Sequence, residues 1–377
     1  MLISRINKFS KLSIAILALL LLGASFRIFV AHHWPNDAPD DGRVYAQMAR
    51  NVLEQHLFSH DAQPPYSPSL IRLPGYPGFL AAIYSVFGHT NNGAVRIVQA
   101  LIDTGTCALI GLLAFYWQPD EKKKRTSAIA ALALAAVCPF TTIYTATILT
   151  EVLTNFLMVA MFVAVTIAFK KLTTDDAEED QNPNRKLKSA LLWWGVAGLI
   201  GGIAVMMRPD SGLFLAAIGL TLVITGLGPL VLGLRKKSKA KEQSSKTKDQ
   251  RTKFKLSRII ASGAALSFTF ILVLAPWTIR NWRVFHIFQP LAPTHGEMPG
   301  EFVPRGYQLW LRTWLDDQSY IQPFLWSLDT DPIDIDDIPA YAFDSENEKK
   351  RVATLIEAYN NESDQDSSSE PQPSPNA

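Results

Sequence analysis

The sequence predicts an all-α polytopic membrane protein with about seven transmembrane helices, and three observations carry that expectation. Long apolar runs alternate with short polar connectors along a chain of 377 residues that is 48% hydrophobic. Runs of roughly 18 or more apolar residues are long enough to cross a bilayer as helix. Lysine and arginine crowd into alternate connectors, the asymmetry that cytoplasmic loops display.

The first run covers about residues 10–30 and is preceded by Arg5, Lys8 and Lys11. A basic start and an apolar core also mark secretory signal peptides. The run from Leu12 to Val30 is long for one, and no small-x-small site precedes the acidic segment, so it is expected to stay as the first span. The connector 32–93 follows. From Asp41 onward, Val44, Tyr45, Met48, Val52 and Leu53 share one helical face, and Arg43, Gln47, Arg50 and Glu54 the other. That pattern predicts an amphipathic helix lying flat on the outer surface. The stretch "PGYPGFLAAIYSVFG" (74–88) is apolar but short, and is expected to dip into the outer interface. Six more spans are expected at about 94–117, 127–144, 152–170, 190–207, 212–234 and 257–278.

Charge sets the orientation. "EKKKR" lies between spans two and three. Lys170, Lys171, Arg185, Lys186 and Lys188 lie between spans four and five, and "RKKSKAKEQSSKTKDQRTKFK" between spans six and seven. The other connectors hold three arginines in 32–93, none in 145–151 and Arg208 alone in 208–211. The N-terminus is therefore expected in the cytoplasm and the C-terminus outside the cytoplasmic (inner) membrane. The lysine-rich loop lacks aromatics and reads as a topology signal, with no nucleic acid partner implied. Residues 1–281 read as a membrane-embedded core, 282–360 as a small outer segment, and 361–377 as a tail of disordered composition. Cys107 and Cys138 both fall in apolar runs and suggest neither a disulfide framework nor a zinc site.

Candidate chemistry gathers on the outer side. Asp40 and Asp41 begin the amphipathic helix; they either cap it or serve a substrate or metal. Arg72, before a Pro-Gly turn, either snorkels to headgroups or grips a lipid-linked phosphate. Arg96, Gln99 and Asp103 share one face of span two. Asp103, two turns deep, needs a partner, and an ion pair between helices is the better reading. Glu151 opens span four, Arg208 and Asp210 sit between spans five and six, and Arg280, Asn281, His295 and Glu297 follow span seven. Acids and arginines from four connectors on one side fit an active site at the outer interface better than a path through the membrane.

The ordered set "PDDGRVYAQMARNVLEQHLF", "RLPGYPGFLAAIYSVFG", "AVRIVQALIDT", then "LTEVL", "RP" and "PWTIRN", resembles bacterial membrane glycosyltransferases of the GT-C type. More narrowly it is similar to the family 39 group, related to protein mannosyltransferases and the lipid A aminoarabinose transferase. The resemblance covers roughly residues 10–300. It implies a GT-C-like core that transfers a sugar from a polyprenyl-phosphate donor to a glycan, lipid or protein acceptor outside the membrane. It also implies a carboxylate at the start of the first outer loop, acting directly or through a divalent metal (Mg or Mn). Asp41, four residues before Tyr45, matches that position and would be the metal ligand, with Asp40 beside it. Arg72 matches the basic residue that contacts the donor phosphate. Glu151 matches as a second catalytic acid, and Arg208 and Arg280 as phosphate ligands, in order and side. Such enzymes often have more spans and a folded C-terminal domain.

Two rivals stand beside this reading. A transporter or flippase of a lipid-linked substrate would want inverted repeats, broken helices and midplane charges; only Asp103 hints at that. A non-catalytic membrane relative would tolerate neutral residues at Asp40, Asp41 and Arg72.

Overall fold

The structure, a computed structural model, describes residues 2–37, 41–88, 90–173, 183–234, 245–293, 305–327 and 333–369. Its regular elements among these residues are helices, with one isolated backbone bridge between Asn36 and Thr147. The chain divides into two compact units, Met1–Pro299 and Gly300–Ala377.

The first unit holds α1 (Leu2–His33), α2 (Asp41–Glu54), α3 (Gly75–Phe87), α4 (Asn92–Trp117), α5 (Lys124–Ala136), α6 (Pro139–Thr142), α7 (Glu151–Thr173), α8 (Pro183–Met207), α9 (Gly212–Leu234) and α10 (Ser245–Phe285). Among the described residues, five helical stretches are long and apolar enough to cross a bilayer: Leu12–His33, Asn92–Trp117, Glu151–Leu172, Leu187–Met207 and Ser257–Phe285. Their outward faces carry bare apolar side chains, among them Ile14, Leu21, Leu112 and Phe268. In water such faces would be covered; in lipid they meet their solvent. The protein is thus an all-α, multi-pass membrane protein.

The segment expected as span three differs. It is two pieces, Lys124–Ala136 and Pro139–Ala146, bent by 50°. Pro139 has no N–H to donate to the preceding turn and crowds it, so the helix stops. Cys138, just before it, is extended at φ −68 and ψ 114. Counted as one broken span, this pair brings the stretches of spanning length among the described residues to six. The segment expected as span six, 212–234, is helical throughout as α9.

The break leaves carbonyls in the apolar interior, and Arg27 of α1 fills them. Its Nη1 donates to Ala136 O at 2.9 Å and its Nη2 to Ala135 O at 3.1 Å. Its Nε donates to Asp103 of α4 at 2.7 Å, with both side chains buried. The ion pair expected at Asp103 is present, and its partner is Arg27. A guanidinium suits the place because it offers several donors in a fixed fork.

α8 is the central strut, packed along α7 and α10. A Cβ on Gly198 would overlap Leu266 O and Thr269 Oγ1 of α10, so only glycine admits this close a crossing. Met158, Met161, Trp194, Ile218 and Leu266 fill the space among α7 to α10.

The apolar face of α2 meets protein. Met48 and Ala49 are fully buried, and Ala49 packs in one cluster with Tyr76, Leu80 and Tyr84 of α3, Val95 of α4 and Val152 of α7. The amphipathic pattern in the sequence is the same for a helix resting on lipid or on another helix. Tertiary packing decided for the latter.

The second unit contains α11 (Arg305–Leu311), α12 (Gln318–Ser327) and α13 (Glu346–Ser369) around Leu311, Leu315, Ile321, Ile338, Val352 and Ile356. α13 runs to Ser369, into the stretch whose composition predicts a tail.

Candidate functional site

The chain leaving α1 is tied to the chain entering α7. Asn36 N donates to Ala146 O at 2.9 Å and Ile148 N to Asn36 O at 3.1 Å. Arg96 of α4 braces both sides, donating to Ala146 O at 3.0 Å and pairing with Asp37. Gln99, one turn deeper and fully buried, donates to Thr147 O at 2.8 Å and accepts from the Tyr76 hydroxyl at 2.8 Å. These contacts fix where α2 and α7 begin, and hence where Asp41 and Glu151 stand.

Each of those acids opens a helix, where the free N–H groups and the macrodipole favour negative charge. Each is held by an arginine from a proline turn. Arg72 Nη2 donates to Asp41 Oδ1 at 2.8 Å, and Arg208 Nη1 to Glu151 Oε1 at 2.7 Å. Arg208 also reaches Asp210 at 3.4 Å. Pro209 forces Arg208 extended, at φ −146 and ψ 125, which swings its side chain off the end of α8.

The two turns lie against each other. A Cβ on Gly75 would come 2.5 Å from Met206 O, so α3 starts directly on the end of α8. Tyr45, one turn after Asp41, stands among both pairs. Burial and then the Asp41 carboxylate push its phenol above the ordinary value, Arg72 and Arg208 pull it back, and Glu151 adds a smaller push. Its ring meets Tyr76 edge-on at 5.2 Å. Burial works against the Arg208 charge, but Asp210 and Glu151 hold its pKa above the usual guanidinium value.

Both pairs are half made. Arg72 Nε and Glu151 Oε2 are buried without a hydrogen-bond partner, as is Ser211 Oγ beside Asp210. Buried polar atoms are rarely left so unless something else completes them.

Arg280 stands apart from the two pairs. Its Nη1 donates to Ser69 O at 2.8 Å and its Nη2 to Phe58 O at 3.4 Å. The guanidinium lies 5.0 Å from the Trp277 ring and 5.1 Å from that of Phe285. It clamps the connector between α2 and α3 onto α10. It also lines a largely apolar groove of about 340 Å³ with Pro74, Gly75, Met206, Val273, Pro276 and Trp277. The groove lies among the start of α3, the end of α8 and α10, next in sequence to the turns that carry Arg72 and Arg208.

The model of the dolichyl-phosphate-mannose-protein mannosyltransferase family matches residues 18–287. The chain belongs to that family. The match takes in α2, both proline turns and all but the first residues of the membrane helices through α10. Membership makes the glycosyltransferase assignment at the level of the mannosyltransferase family and of its GT-C-like relatives. No curated protein matches the chain, and no solved structure does.

Of the candidate residues, the structure brings together Asp41, Arg72, Glu151, Arg208 and Asp210. Asp40, His295 and Glu297 lie outside the described residues. Sequence reasoning passed over Tyr45 as a site residue because it fits the apolar face of α2 equally well. It also passed over Arg27, although a charge inside an apolar run was the available signal. Ser211 carried no signal.

Proposed function

We propose that this mannosyltransferase-family protein transfers a sugar from a polyprenyl-phosphate donor to an acceptor at the outer face of the cytoplasmic membrane. The observation that carries the reading is the double pair, Asp41–Arg72 and Glu151–Arg208, facing Tyr45 beside an apolar groove. A lipid phosphate needs charge stabilisation as it leaves, and arginines at a membrane surface supply it. The groove suits an isoprenoid tail.

The chemistry assigns a role to each residue. Arg72 and Arg208 hold the donor phosphate. Asp41 takes the proton of the acceptor hydroxyl as its oxygen attacks the anomeric carbon, and the bond to phosphate breaks with its electron pair going to the departing phosphate. Asp40 supports Asp41 electrostatically. Glu151 orients Arg208 and leaves its second oxygen for a sugar or acceptor hydroxyl. Arg280, expected from the sequence as a phosphate ligand, would instead line the groove that takes the donor's tail.

The sequence admits a divalent ion, Mg or Mn, at Asp41. Among the described residues no three His, Cys, Asp or Glu side chains gather into a metal group. One carboxylate together with a donor phosphate is the partial shell that Mg²⁺ accepts, so Asp41 would be its protein ligand, and such an ion would add charge stabilisation at the phosphate. The roles above belong to residues of the chain.

The seven-span topology, with α9 crossing and the N-terminus in the cytoplasm, belongs to the same reading. It would put both pairs on the outer side.

The test is Asp41→Asn, which keeps the shape and removes the charge. Transfer from a polyprenyl-phosphate sugar should fall by about 10²–10⁴-fold, with the purified protein melting as the parent does. Near-normal transfer would return Asp41 to helix capping.

A further inference from the structure

The arginines that a donor phosphate needs are already engaged by the carboxylates that the reaction needs. We infer that the donor phosphate displaces Asp41 from Arg72, so that Asp41 becomes free to act only when the donor is in place. This rests on the proposed donor-binding reading and adds an order of events to it.

Three observations support the exchange. The Asp41–Arg72 pair is made through one nitrogen and one oxygen, at 2.8 Å, and leaves Arg72 Nε buried without a partner. A phosphate offers three or more acceptor oxygens and would satisfy that N–H as well, which Asp41 does not. The Asp41 side chain is 53% exposed and that of Arg72 30%. An ion pair so open to water contributes little, so breaking it costs little. And Asp41, once released, keeps its place at the N-terminus of α2, where the helix continues to favour its charge.

The second pair behaves differently. The difference lies in the acids: Glu151 is only 24% exposed against 53% for Asp41, while Arg208, at 40%, holds Asp210 in addition. Arg208 therefore keeps an acid partner when a phosphate arrives. Glu151 Oε2, buried and unpaired, calls for a hydroxyl donor and not for an anion. The two pairs divide the work: the exposed one opens for the phosphate, and the half-buried one stays closed and offers its free oxygen. The predicted order is donor first, acceptor second. An acceptor arriving early meets a carboxylate that is neutralised by its arginine.

The experiment is a double-mutant cycle on binding. The full-length protein in nanodiscs is titrated with undecaprenyl phosphate, using the parent, Asp41→Asn, Arg72→Ala and the double variant. Loss of the competing carboxylate should tighten binding by Asp41→Asn up to about fivefold, the value of an exposed pair. Arg72→Ala should weaken binding at least about tenfold. In the double variant the tightening should vanish, because no arginine remains to be released.

Weaker or unchanged binding by Asp41→Asn would mean that Asp41 positions Arg72, and would overturn the exchange while donor binding stands. Tightening that persists without Arg72 would reduce the effect to the general field of a lost negative charge, and would overturn it too. No binding by the parent, or parent-like binding by Arg72→Ala, would remove the underlying reading itself. Melting curves of the four proteins separate these results from misfolding.

Discussion

The Arg27 guanidinium and the Asp103 carboxylate meet at 2.7 Å with neither side chain open to solvent. The pair joins α1 to α4, and the rest of the guanidinium closes the carbonyls freed where α5 ends. A buried charge without its partner is expensive. With all its bonds made, this one holds the broken span in one shape.

Arg27→Leu should therefore destabilise the protein by about 3–5 kcal/mol, since it strands both Asp103 and two carbonyls. Asp103→Asn should cost less, because Arg27 retains Ala135 O and Ala136 O. Thermal denaturation of the purified protein in detergent checks the ranking. An Arg27→Leu variant that melts like the parent would refute the role.

Gly75→Ala would drive a methyl group to 2.5 Å from Met206 O, so α3 must move off the end of α8. Arg72 and Arg208 would separate, and transfer should drop by about a hundredfold, the cost of roughly 1 Å of misplacement. Gly78→Ala, where a Cβ meets nothing within 4 Å, is the control and should be silent. Equal activity of the two variants would disconnect the turn from the site.

Reporter fusions placed after Lys236 and after Arg305 should report opposite sides of the membrane, the first cytoplasmic. The lysine-rich loop before α10 motivates this, and the apolar stretch Ser257–Phe285 lies between the two points. Lys236 is outside the described residues. Matching sides would remove the proposed topology.

In the second unit, burial, with a smaller push from Tyr359, raises the Tyr307 phenol to about 12 from the ordinary 10.0. The neutral phenol suits the folded unit, and the unfolded chain ionises first. Stability from this group is thus complete below pH 10.0 and is lost as the pH climbs toward about 12. Tyr307→Phe should flatten that alkaline loss in pH-jump melting curves. An unchanged alkaline slope would argue against it.

Much of this protein was legible in its residues. Apolar runs, lysine asymmetry, and the start of a polar-faced helix at Asp41 depend on local pattern, which a sequence states outright. The order of acids and arginines was legible for the same reason. So was the need of Asp103 for a partner, because an ionisable group in an apolar run is costly anywhere it lands.

Partnership was not legible, because it depends on how distant segments are brought together. Arg27 meets Asp103 across 76 residues, and Arg208 meets Glu151 across 57. Nothing in the local pattern separates Arg72, which takes an acid, from Arg280, which takes carbonyls and rings. The break at Pro139 could be suspected from its residue type, but that Arg27 fills it depends on the packing of α1 against α5. Even the face of α2 carried two meanings, lipid or protein, and only the arrival of Tyr76 and Tyr84 against Ala49 chose between them. Periodicity says which side of a helix must be covered; the three-dimensional fold alone supplies the cover.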